Sequence, residues 1–297
     1  MKIAVIGSGI SGISAAWALH RHHEITLYEK ENRLGGHTHT HDLAVSGKEY
    51  RIDSGFIVHN PGNYPLFSAF LSELGVETKD TEMSFSAHNR SLGMYYNARD
   101  FGTLFCQKRN LLSLEFWRML KEIKRFYAEC PKLLASRDDG PTLGEYLAEN
   151  NYGRYFTDNH LIPMASALWS SPSASILDFP AKYLVAFMAN HHMLHISGLP
   201  LWLVFDGGSS SYIEQVQSRW NVDVRLSARI CEVSRAEGRV IVKSQSGNET
   251  FDAVIFACHS DQALHLLTDA SDNESDILGA IRYQSNETVL HCDSGVL

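Results

Sequence analysis

At 297 residues the chain is long enough for one large domain or two ordinary ones, and 44% hydrophobic with 20% charged residues is ordinary for a globular fold. Its net charge of −8 offers no basic face to a phosphate backbone, which argues against a nucleic-acid partner. Five scattered cysteines, Cys106, Cys130, Cys231, Cys258 and Cys292, contain no CxxC pair, so neither a disulfide framework nor a thiolate zinc site is expected.

Such thiols suit a reducing, cytoplasmic setting. No apolar run reaches the roughly 18 residues that suggest a membrane span. The opening MKIAVIGSGISGISAAWAL imitates a signal peptide, with Lys2 ahead of an apolar stretch, but its glycines are phased for another purpose. Residues 2–6, KIAVI, form the short apolar run of a strand buried on both faces. Gly7-Ser8-Gly9-Ile10-Ser11-Gly12 follows at once as GxGxxG, and Ile13, Ala16, Trp17 and Leu19 then recur at helical spacing. On a strand-to-helix turn each glycine has a mechanical role. Gly7 permits the tight turn, Gly9 lets the backbone approach a pyrophosphate, and Gly12 lets helix and strand pack closely. The free N–H groups at the helix start then face the phosphates.

EITLYEK reads as a second apolar strand ending in Glu29, where a carboxylate accepts hydrogen bonds from the adenosine ribose and disfavours a 2′-phosphate. His20, His22 and His23 lie in the preceding turn as a solvated cluster. Up to Glu29 an NAD enzyme and an FAD enzyme share the same pattern. Beyond it comes RLGGHTHTHD, with His37, His39 and His41 at alternate positions, which on a strand would share one face. No acid or cysteine is placed to complete a histidine metal site, so no metal is expected. Arg33, Gly35 and Gly36 resemble the R-x-G-G-R element of the flavin amine oxidase, phytoene desaturase and protoporphyrinogen oxidase superfamily. The GGHTHT form is similar to its bacterial branch of NAD/FAD-binding proteins.

The resemblance implies FAD as cofactor, with Lys30, Arg33, Gly35, Gly36, His37 and Thr38 in the segment that runs past the diphosphate towards the isoalloxazine. Paired glycines there let backbone come close with no Cβ in the way. The superfamily usually has arginine after the second glycine. His37 replaces a permanent, bidentate charge with a titratable ring. YRIDSGFIVHN resembles the next flavin-facing element, with Asp53, Ser54 and Gly55 matching it and Phe56 and Ile57 as ring neighbours.

From about residue 87 the character changes. LLSLEFWRMLKEIKRFYAECPKLL has the apolar spacing of an amphipathic helix. TLGEYLAENN opens with a Thr142 cap and Glu145 in a capping box, and FPAKYLVAFMANHHML is a further helix with Pro180 in its first turn. His191 and His195 share helical spacing but lack an HExxH glutamate, so a surface cluster is expected. The resemblance makes this a mostly helical substrate domain over the flavin. Phe101, Phe105, Phe116, Trp117, Phe126, Tyr127, Met164, Trp169, Phe187 and Met188 are expected mostly in its core. LIPMASALWSSPSASILDFP is apolar enough to line a channel for an apolar small-molecule substrate.

LWLVFDGGSSSYIEQV then places Gly207 and Gly208 ahead of a helix. After it come a strand, hairpins turning at Glu237-Gly238 and at Ser246-Gly247, and a buried strand through VIFA, residues 254–257. In relatives the strand around Ile230 reaches the adenine. ETVLHCDSGVL reads as a last strand. Relatives continue further, so the chain reads as truncated, with weaker FAD retention expected. Amine oxidases of the superfamily often place a lysine near flavin N5 on a strand close to YQSNETVLHC. No lysine follows Tyr283 here, which tilts the expectation towards desaturase-like chemistry.

The expected fold is therefore α/β. It has a Rossmann-like FAD-binding domain, a parallel sheet plus β-meander, from residues 1–86 and 202–297, with a mostly helical substrate domain, 87–201, inserted. The expected reaction moves a hydride from an apolar or amine substrate to flavin N5, needs no protein nucleophile, and leaves the catalytic residues unassigned. An NAD-dependent dehydrogenase and a non-catalytic nucleotide-binding fragment are the rival readings, and the oligomeric state stays open.

Overall fold

The computed structural model describes residues 1–169, 173–195, 200–293 and 295. The chain divides into two units, Met1–Asp80 with Leu203–Leu297, and Thr81–Trp202. In the first unit the apolar run at the N-terminus forms the strand Lys2–Ile6. It lies between Glu24–Tyr28 and Ala253–Phe256, with Asp223–Arg225 beyond Glu24–Tyr28, all parallel. Alternation along the central strand decides what lies on each face. Ile3 and Val5 pack with Ile13, Ala16, Tyr212, Ile213 and Val216 from helices Ile10–Leu19 and Ser210–Gln217. Ala4 and Ile6 pack with Val233, Val240, Val242 and Phe251. Those four belong to the antiparallel meander Ile230–Ala236, Arg239–Ser244 and Gly247–Phe251.

The first hairpin of the meander turns at Glu237 and Gly238, both at positive φ, which matches the right-handed twist of the flanking strands. The second turns one residue earlier than expected, at Gln245 and Ser246, because Gly247 already pairs with Ser244. Ala253–Phe256, expected as a buried strand, is half-buried throughout and stands at the sheet edge among the described residues. A run of apolar residues does not reveal whether a strand has one neighbour or two. The expected final strand is absent from the described residues: 284–293 carry no regular structure and have no partner strand there, and residues 294, 296 and 297 lie outside the description. No helix among the described residues is long and apolar enough to cross a membrane.

A small sheet in the same unit places Trp202–Phe205 between Val58–His59 and Thr78–Thr81. The Asp206 N–H donates to Glu77 O at 3.1 Å, so the strands on either side of residues 81–202 run antiparallel, with residues 80 and 203 at the same end. The second unit has a hairpin, Ser86–Asn89 with Met94–Asn97, that the sequence reading lacks. Its longest helix is Leu114–Glu129, capped by the Ser113 hydroxyl, with 3₁₀ turns before and after it. Pro131 ends that helix earlier than the apolar spacing suggests. Thr142 and Glu145 form a capping box on Leu143–Glu149, and Pro180 caps Ala181–Asn190 from just outside its first turn. Phe105, Phe116, Phe126, Met164 and Met188 are buried in one core, whereas Phe101 and Trp117 are exposed. Of the stretch expected to line a channel, Leu161, Met164, Ala165 and Ile176 belong to that core, and residues 170–172 lie outside the description.

Candidate functional site

The site is built on the turn between Lys2–Ile6 and Ile10–Leu19. Gly7 takes φ +102°, and a Cβ there would stand 2.5 Å from Ala257 O, so only glycine closes the turn. A Cβ on Gly12 would stand 1.9 Å from Gly7 O, which puts the first helical turn directly on the strand end. Gly9 differs, since a Cβ there would meet nothing within 4 Å. Ile10 and Ser11 beside it are exposed, and the helix has no side-chain cap and no acid in its first turn. Open ground therefore lies in front of unpaired N–H groups, at the positive end of the helix dipole.

Glu29, buried at the end of the neighbouring strand, completes that ground on one side. Its Oε2 accepts from Ser8 N at 3.0 Å and from Ser8 Oγ, and its Oε1 accepts from Glu31 N at 2.9 Å. Three of the four acceptor positions of the carboxylate are thus filled, leaving one on Oε1 for a hydroxyl donor. The segment after it is tied to the same turn. Gly35 N donates to Ser8 O at 3.0 Å, and a Cβ on Gly36 would stand 3.0 Å from Gly9 Cα. Arg33 is turned onto its own loop, donating to Gly36 O at 2.8 Å and Thr38 O at 3.0 Å, while Lys30 is at the surface, 3.9 Å from Glu31.

Thr38 is buried, with its hydroxyl 2.8 Å from that of the fully buried Tyr212. His37 is exposed and its ring stacks on His259, which stacks on Tyr283. His39 and His41 meet with ring centroids 3.8 Å apart, and His41 Nε2 lies 2.8 Å from Ser54 Oγ. Burial holds His39 below its ordinary pKa, with Arg33 and His41 adding to the effect. Among the described residues no group of three or more histidines, cysteines or acids could hold a metal. The next predicted residues pack on this backbone: Ser54 N donates to His39 O and Phe56 N to His37 O, each at 3.1 Å. A Cβ on Gly55 would stand 2.0 Å from His37 O. Phe56 points its ring into Tyr64, Phe67 and Phe205. Ile230 is half-buried at the start of the meander's first strand, just beyond Ala228, whose N–H donates to Glu29 O at 2.8 Å.

The structure thus brings residues 7–12, Glu29, Gly35, Gly36 and His37 around one open turn. Arg33, Thr38, Ser54, Gly55 and Phe56 hold the loop that covers it. Sequence reasoning missed Asp53 as a junction, with its carboxylate accepting from Ser209 N, Ser209 Oγ and Thr40 Oγ1. It also missed His259 and Tyr283. Nothing local marks any of these, since their partners are distant in sequence. The open, uncapped turn with a carboxylate at its side fits a dinucleotide.

A profile of the family described as flavin containing amine oxidoreductase matches residues 10–289. No curated protein matches the chain. Among solved structures, a cofactor-binding redesign of putrescine oxidase is similar with TM-score 0.70 and 19% identity, covering 94% of this chain and 62% of that one. Cyclohexylamine oxidase from Brevibacterium oxydans is similar with TM-score 0.67 and 19% identity, over 94% and 62%. A putative protoporphyrinogen oxidase from Exiguobacterium sp. 255-15 follows with TM-score 0.61 and 20% identity, over 92% and 62%. The chain thus spans about 62% of the length of these structures, and at such identity the likeness establishes the fold. The match over most of its length makes this chain a member of the flavin containing amine oxidoreductase family, with FAD as its cofactor.

Proposed function

We propose that the chain is an FAD-dependent oxidoreductase that removes a hydride from an apolar or amine small-molecule substrate. The observation that carries this reading is the open, uncapped helix start at Gly9, with Gly36 against it and the Glu29 carboxylate beside it. FAD bound there supplies the hydride acceptor, so no protein nucleophile is required. This chain's own groups supply position and field. The N–H groups of Ile10, Ser11 and Gly12 hold the diphosphate, and the open acceptor position of Glu29 takes a ribose hydroxyl. Arg33 keeps the 34–38 loop at a fixed distance from the turn through its two carbonyl contacts. Ser54, Gly55 and Phe56 fix the direction in which the chain leaves that loop. Residues 1–86 and 202–297 take the FAD-binding role and residues 87–201 the substrate role.

Two of the fold relatives carry the names of amines, so amines are screened first and apolar donors after them. The test is a visible spectrum of the purified chain, loaded with FAD and passed through a desalting column, followed by anaerobic addition of donors. Oxidised-flavin bands that stay with the protein, and bleach on a donor without nicotinamide, support the reading. Colour that leaves with the small molecules removes the cofactor assignment, and retained colour that no amine or apolar donor bleaches removes the activity. Binding of NAD instead of FAD would establish the dehydrogenase alternative.

A further inference from the structure

The glycine turn is bracketed from two sides. Gly36 lies against Gly9, and Ala257 with Cys258 lies against Gly7, with Cys258 N 3.3 Å from where a Gly7 Cβ would be. Each bracketing segment runs directly into an exposed histidine, His37 on one side and His259 on the other. Their rings stack at 6.2 Å with 21° between the planes, so the pair spans the mouth of the turn. His259 is steadied by Tyr283, whose ring stacks on it nearly parallel with centroids 4.4 Å apart and whose hydroxyl accepts from Ser260 N at 3.2 Å. Among the described residues neither imidazole has a hydrogen-bond or ion-pair partner.

We propose that His37 and His259 together form a wall of hydrogen-bond donors at the dinucleotide site, in the place where the superfamily usually has one arginine, and that both contact the diphosphate of FAD. This rests on the cofactor reading above and adds His259 as a binding residue. One arginine brings a permanent charge and two donors. Two imidazoles bring two donors, one from each of two segments.

The flavin-free chain is titrated with FAD, read by quenching of flavin fluorescence. His37→Ala and His259→Ala each raise the dissociation constant on the order of tenfold, the scale of one hydrogen bond to a charged group. His259→Phe, which keeps the stack on Tyr283 and loses the donor, raises it as much, and His37→Arg leaves it near the parent value. Because both rings are exposed, these changes leave the core intact. A His259→Ala or His259→Phe chain that binds FAD as tightly as the parent overturns the proposal while the cofactor reading stands. A parent that does not bind FAD overturns both.

Discussion

Glycines of one motif can have opposite structural consequences, and here the distances separate them. Gly12→Ala would drive a methyl to 1.9 Å from Gly7 O, so it should destabilise the chain by about 3 kcal/mol or more and cut its soluble yield. Gly9→Ala meets empty space at φ −63°, so stability should change by less than about 0.5 kcal/mol while FAD affinity falls about tenfold. Thermal melts and FAD titrations of the two variants check both halves. In the other unit, His160 shows a side chain whose protonation state the packing decides. Tyr96 Oη donates to Asn159 O at 3.1 Å, so His160 donates from Nδ1 to Tyr96 Oη at 2.8 Å and accepts at Nε2 from Tyr127 Oη at 3.2 Å. That neutral ring is fully paired, and burial lowers its pKa to about 4. The unfolded chain therefore binds the extra proton between about pH 6.5 and 4. Stability is full above 6.5 and declines by about 3 kcal/mol on the way down to 4. Denaturant melts across that interval should show the decline, and His160→Phe should flatten it.

Elements obey local rules where their partners are local. The Thr142 and Glu145 capping box was readable because cap and helix are neighbours, as were the GxGxxG turn and the hairpin at Glu237-Gly238. The helix Ser210–Gln217 is different. Ser209 makes no cap of its own, and the Asp53 carboxylate, 156 positions away, accepts from Ser209 N at 3.0 Å. Asp53→Ala leaves that helix start and the buried Ser209 hydroxyl without a partner, so it should cost about 2 kcal/mol, measurable by urea unfolding. Residues 154–169 hold a second unread feature. A π-helical turn, Thr157–Leu161, interrupts the helix and carries Asn159 and His160 into the Tyr96 network. Apolar spacing at 3.6 residues cannot announce an inserted residue.

At the scale of the molecule, the long insertion leaves and re-enters through antiparallel neighbouring strands, with residues 80 and 203 at the same end. Neighbouring strands lie about 4.8 Å apart, so a short glycine-serine loop can close the gap. Replacing residues 82–201 by such a loop should leave a chain that still binds FAD with about the parent affinity and has lost all donor-dependent bleaching. A flavin titration and an anaerobic spectrum check the two outcomes separately.

The sequence alone determined the strand, glycine turn, helix, strand and acid that open the chain, because each depends on neighbours within about thirty positions and on steric rules for single residues. Tertiary structure decided which groups share a surface. Nothing in RLGGHTHTHD says that His37 meets His259, that Arg33 turns back on its own loop, or that Thr38 faces Tyr212. Nor could an apolar run say that residues 253–256 form an edge, or a strand-like pattern at 284–293 supply a strand to pair with. Pairing and burial depend on what arrives from elsewhere in the chain, and a local pattern carries no record of that.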